Sequence, residues 1–145
     1  MRCFFKAMRE YANFHARSGR REFWHFFMGW ALLGLLSIWL DHATGNYNFK
    51  SGIAVFESFW FFGFLLPWMA ASVRRLHDTG RSGWWLAAFF PGLIYLYAVF
   101  MPDAQKILLP WWPAAALSWI LYLVLMALPG NDGPNAYGKP ERAWC

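Results

Sequence analysis

Four runs of almost uninterrupted apolar side chains constrain this chain more than any other feature of it. They occupy residues 23–40, 53–73, 84–101 and 107–128. A helix needs about 20 apolar residues to cross a hydrocarbon core about 30 Å thick. The first and third runs are short, and their tryptophans extend them into the headgroup zone. Backbone polar groups in lipid need internal partners, so the runs read as helices. Pro67, Pro91, Pro110 and Pro113 fall inside them. Proline argues against a soluble helix interior, but a membrane helix tolerates it as a kink. Composition agrees. Only 14% of the 145 residues are charged and 22% are aromatic, whereas soluble domains average about 25% charged. A soluble domain of this size lacks the interior to hide so many rings.

Charge sets the orientation. The stretch before the first run holds Arg2, Lys6, Arg9, Arg17, Arg20 and Arg21. The segment 74–83 holds Arg74, Arg75 and Arg81, and the tail holds Lys139 and Arg142. Alternating crossings put these eleven of the thirteen Lys and Arg on one side, with Lys50 and Lys106 on the other. Lys and Arg accumulate on the cytoplasmic side, so both termini are expected there. Cys3 and Cys145 are then expected as reduced thiols. The predicted architecture is an all-α, integral-membrane four-helix bundle of two hairpins, forming a single membrane domain. An N-terminal amphipathic interfacial helix precedes it. The arm covers 1–22 and the tail 129–145.

Within the arm, Phe4, Phe5, Met8 and Tyr11 recur at helical spacing with Lys6, Arg9, Glu10 and Asn13 between them. That pattern predicts a basic amphipathic helix on the inner leaflet. Two entry sequences look alike: Ser18–Trp24 reads SGRREFW and Thr79–Trp85 reads TGRSGWW. Each combines a hydroxyl, a glycine, an arginine and interfacial aromatics. The likeness suggests two parallel hairpins, and also suits any helix entering from the cytoplasm.

GRREFW after an amphipathic arm, RRLHDTGRSGWW after the second run, and a tail of the form GxNxxG resemble family 805 of the domain-of-unknown-function series. This is a family of small bacterial inner-membrane proteins. The resemblance covers nearly the whole chain, residues 4–140. It implies an integral inner-membrane protein and no assigned activity, substrate or cofactor. Members usually carry a basic residue after the tail asparagine, where this chain has Ala136.

The polar residues near the cytoplasmic face are the candidate site. Arg20, Arg21, Glu22, Arg74, Arg75, His77, Asp78 and Arg81 are expected to bind an anionic lipid headgroup or an acidic segment of a protein partner. Arg74 and Arg75 also suit the negative end of the second helix. His77 beside Asp78 has the elements of a general base. Consecutive side chains diverge, so Asp78 is expected in a turn with Thr79 and Gly80 or paired with an arginine. Glu57 is the one acidic residue inside a run, and an intramembrane carboxylate is functional by default unless it snorkels outward. The four histidines lack metal-ligand spacing. The chain has no phosphate-cradling loop and no hydrolase elbow, so neither metal, cofactor nor catalytic residue is assigned. The basic residues follow topology, which removes the argument for nucleic acid. The function that follows is a non-catalytic inner-membrane protein with a basic binding face, alone or as a homo-oligomer. A small oligomeric transporter using Glu57, or an enzyme on a lipid phosphate with His77 as base, are the alternatives.

Overall fold

The computed structural model describes residues 2–48, 53–99 and 109–140. Helix α1 (Arg2–Arg9) is followed by α2 (Arg20–Thr44) and α3 (Val55–Asp78). A two-residue antiparallel ladder between α2 and α3 pairs Tyr47 with Ala54 and Asn48 with Ile53. A 3-10 segment (Gly83–Phe89) then runs straight into α4 (Phe90–Val99). A 3-10 turn (Leu109–Trp111) opens α5 (Trp112–Ala127). The class is all-α, as expected. The ends of the third and fourth apolar runs that meet between 100 and 108 lie outside the described residues.

Helix α2 takes the first run and begins at Arg20. Helix α3 takes the second and continues to Asp78, so Arg74, Arg75 and His77 belong to a helix and not to a loop. It ends in a Schellman motif: the Gly80 N–H donates to His77 O and the Arg81 N–H to Leu76 O. Gly80 takes the left-handed conformation that this motif requires, with φ 75°. Helix α2 ends in the same way at Gly45.

The third run divides at Pro91. Pro91 has no N–H to donate, and its ring clashes with the carbonyl four residues back. The chain therefore takes 3-10 turns through Phe89 and becomes α-helical only at Phe90. Pro113 avoids the problem by sitting in the first turn of α5. The two similar entry sequences consequently part. Gly19 leads directly into an α-helix, whereas Arg81 closes the end of α3 and Ser82 caps a 3-10 segment.

Helices α2 and α3 are held together at two levels. Asp41 is buried near the end of α2, and its carboxylate accepts from the Phe56 and Glu57 N–H groups at 3.0 and 2.8 Å. Ala54, at the N-cap of α3, supplies no side-chain cap of its own, so α2 caps α3. Deeper in, Trp60 packs on Trp30 and donates its indole N–H to the Trp30 carbonyl at 3.0 Å. The second half joins through Tyr122 of α5, which stacks on Phe89 and shares a 2.9 Å hydroxyl bond with Ser72 of α3.

Helix α1 corrects the expectation for the arm. It ends at Arg9, and one side of it, with Phe4 and Ala7, rests on protein. Phe4 stacks on Phe26, and a Cβ at Gly29 would come within 2.6 Å of its ring. Cys3 is disulfide-bonded, which corrects the expected thiol; Cys145 lies outside the described residues. The outer surface of α2 and α3 is strongly apolar: only 22% of the apolar window of α2 and 28% of that of α3 are buried in the protein. Both helices are long enough to cross a bilayer, and the outward rows include Leu32, Leu35 and Trp39 on α2 with Phe59, Phe62 and Leu66 on α3.

Asp41→Ala removes the only cap provided for the first turn of α3 among the described contacts. It is expected to cost about 1 kcal/mol, read as a lowered melting midpoint in detergent. Asp41→Asn keeps an acceptor and retains most of that stability.

Candidate functional site

Seven residues before the α3 terminus the helix is still apolar; its last turn and a half then carries Arg74, Arg75, His77 and Asp78, all buried. The reason lies in what surrounds that end. The arm after α1 and the tail pass by it in non-helical backbone, the last turn of α5 adjoins it, and the carbonyls of all three need donors. Arginine offers five N–H groups and no acceptor.

Arg75 serves α5. Its Nε donates to the Met126 carbonyl at 3.0 Å and its Nη2 to the Leu128 carbonyl, two of the acceptors that a helix C-terminus leaves open. Its Nη1 pairs with Asp78 Oδ2. Arg74 serves the arm. Its Nη1 donates to the carbonyls of Glu10 and Asn13 at 2.6 and 3.0 Å, and its own carbonyl receives the Ser18 N–H at 3.1 Å. Glu10 and Glu22 each bring a carboxylate oxygen within 3.8 Å of its guanidinium. Glu22 is also bound by Lys6 of α1 at 2.9 Å.

Arg17 serves the tail. Nε and Nη2 hold Asp78 Oδ1 at 3.1 and 3.0 Å, Nη2 reaches the Asn131 carbonyl at 2.6 Å, and Nη1 takes the carbonyls of Gly133 and Gly138 at 2.8 and 3.1 Å. The side chains of Arg17, Arg74 and Arg75 are each 0% exposed. The tail is secured further. Asn131 donates its N–H to Asp78 O at 2.9 Å, and Asn135 donates its side-chain amide to His77 O at 2.8 Å. A small turn then pairs Asn135 with Gly138 and lays Tyr137 flat on the His77 ring, with centroids 3.7 Å apart at 4°.

The structure thus gathers Glu22, Arg74, Arg75, His77 and Asp78 in one buried cluster. Arg74 and Arg75 face inward, which differs from the expectation of outward ligands. The physical reason is donor demand: each guanidinium closes backbone acceptors of another segment. Asp78 pairs with two arginines and not with His77, whose ring is covered by Tyr137. Arg20 and Arg21 are exposed in the first turn of α2, and Arg81 is half-buried beyond α3. Glu57 sits apart in the first turn of α3 at the opposite end of that helix. His25 turns back to the Arg21 carbonyl at 2.6 Å.

Arg17, Asn131 and Tyr137 were not singled out by the sequence, and Asn135 entered only as the asparagine of the tail motif. Only the glycine- and proline-rich tail hinted at them, since such a segment leaves carbonyls that some donor must meet. The crevice lined by Leu76, Leu86, Leu125 and Met126 is apolar and holds none of these polar groups. Among the described residues, no three His, Cys, Asp or Glu side chains group as metal ligands.

A family described as "Protein of unknown function (DUF805)" matches residues 11–139. In Escherichia coli (strain K12) the chain is 26% identical to "Inner membrane protein YhaH" over 96% of its own length and 95% of that protein. It is 26% identical to "Inner membrane protein YhaI" over 98% and 97%. It is 30% identical to "Uncharacterized protein YiiR" over 88% and 84%. No solved structure matches it.

Arg17→Met leaves the Asp78 charge short of a partner and strands three tail carbonyls. Breaking a buried pair in this way costs roughly 3–5 kcal/mol, so the variant is expected to lose its cooperative melt in detergent. Arg20→Ala, at an exposed position a few residues on, is expected to stay within about 0.5 kcal/mol of the parent.

Proposed function

We propose that this chain, which belongs to the DUF805 family of proteins of unknown function, is a non-catalytic four-span protein of the bacterial inner membrane. Its arginine motif closes the cytoplasmic end, and the cationic rim around that closure binds anionic groups. The relatives named as inner membrane proteins support the location. The observation that carries the rest is the bonding of Arg17, which unites the arm, the end of α3 and the tail. Segments before the first crossing, after the second and after the last meet at one end, as an even number of crossings requires.

Segment lengths support four crossings. At 1.5 Å per residue, α2 and α3 extend about 37 and 36 Å. The second pair is shorter in residues, but 3-10 turns rise about 2.0 Å per residue. Gly83–Phe89 with Phe90–Val99 then extends roughly 29 Å, and Leu109–Trp111 with Trp112–Ala127 roughly 30 Å. Each matches a hydrocarbon core of about 30 Å. Trp84 and Trp85 are exposed at one end of this pair, Trp111 and Trp112 at the other, in keeping with two interfacial belts.

Internal pairing sorts the charges. Glu22 and Asp78 are drawn inward by lysine and arginine, and Glu10 by Arg74. Arg20, Arg21 and Lys139 stay exposed, and among the described residues of this end Asp132 is the exposed carboxylate. A rim so biased favours lipid phosphate or an acidic segment of a partner. The non-catalytic reading rests on the Asp78 carboxylate, which is committed to Arg17 and Arg75 and so is not available to orient His77.

Reporter fusions test the topology: a C-terminal green fluorescent protein is expected to fluoresce and a C-terminal alkaline phosphatase to stay inactive. The reverse pair overturns the reading. The double variant Arg20→Ala, Arg81→Ala is expected to reduce co-purifying anionic lipid or partner several-fold, with its melting midpoint kept.

A further inference from the structure

We infer that the outward face of α1 is a contact site for anionic phospholipids of the inner leaflet, with Arg9 meeting phosphate near the rim, Phe5 entering the acyl region, and Arg2, at the deeper end, reaching back toward the phosphates. The inference rests on the membrane reading above and adds a site that lies apart from the Arg20, Arg21 and Arg81 rim.

The orientation of α1 is fixed from within. Phe4 is wedged against Gly29 and Phe26 of α2 and lies 6.3 Å from the Phe64 ring of α3. Ala7 is 1% exposed, Lys6 holds Glu22, and Arg74 grips the Glu10 carbonyl just beyond the helix. With that side anchored, Arg2, Phe5 and Arg9 form the opposite stripe at i, i+3 and i+7 and all three are exposed. Phe5 is 58% exposed, an unusual state for a ring in a helix whose other ring is so firmly packed.

Depth identifies what covers that stripe. Gly29 lies nine residues beyond Arg20, or about 13 Å down α2. The other end of the arm, at Glu10, is held at the level of Arg74, one turn from the end of α3. Helix α1 therefore runs from the cytoplasmic rim, at Glu10, down toward the level of Gly29, with Phe5 in its deeper half. At that depth an outward phenylalanine meets acyl chains. The long arginine side chains reach back to the phosphates, as cationic residues do near a membrane boundary. The charge is complementary: the stripe is cationic, and the nearby carboxylates Glu10 and Glu22 point to Arg74 and Lys6.

The test places the photoreactive residue p-benzoylphenylalanine at Phe5 in the full chain in living membranes. Irradiation is expected to give phospholipid adducts by mass spectrometry. Adducts to a second copy or to another polypeptide, or the lack of lipid adducts, overturn the inference. In nanodiscs, Arg2→Gln with Arg9→Gln is expected to lower the preference for phosphatidylglycerol over phosphatidylcholine about tenfold, and Arg2→Lys with Arg9→Lys to restore it. An unchanged preference in the glutamine variant also overturns it. Reporter fusions read topology independently, so failure at Phe5 with intact topology removes this site and leaves the four-span reading standing.

Discussion

Backbone carbonyls that no helix or strand satisfies must find donors inside the protein when water is scarce, and in this structure guanidinium groups supply them. Arg74, Arg75 and Arg17 each take a different segment: the arm, the end of α5 and the tail. Asp78 then neutralises two of the three. A lysine in any of these places would bring the charge without the planar fork that spans several acceptors at once. The cluster holds together segments that have little apolar surface of their own to bury.

That arrangement explains why the end of α3 is so polar and yet so enclosed. The Schellman turn at Gly80 lets the helix run on until its arginines reach the level of the tail. Gly130 packs directly on the Asp78 carboxylate, where a side chain would not fit. Tyr137 covers His77, so the apparent His-Asp pairing of the sequence separates into a stacked ring and an ion-paired carboxylate.

Hydropathy made the two long helices legible, because a lipid-facing residue needs only to be apolar and its exact neighbours matter little. Leu32, Leu35 and Phe62 are of this kind. The arginines were legible as a group and not as individuals. Counting Lys and Arg weighs Arg17, Arg20 and Arg74 alike, whereas their burial depends on acceptors more than a hundred residues away in the case of Arg17. Pro91 shows a similar limit: a kink was foreseeable, but not the seven-residue 3-10 path that precedes it. The fate of Phe4 was hidden too, since nothing local marks Gly29 as its seat.

The span between Arg17 and its tail acceptors has a consequence for biosynthesis. Gly133 leaves the ribosome 116 residues after Arg17, which at 5–20 residues per second is an interval on the order of ten seconds. Throughout it the translocon handles a chain whose principal clasp has only one of its jaws. Any product cut short before the tail emerges leaves Arg17 with Asp78 alone, its other N–H groups lacking the carbonyls of Asn131, Gly133 and Gly138.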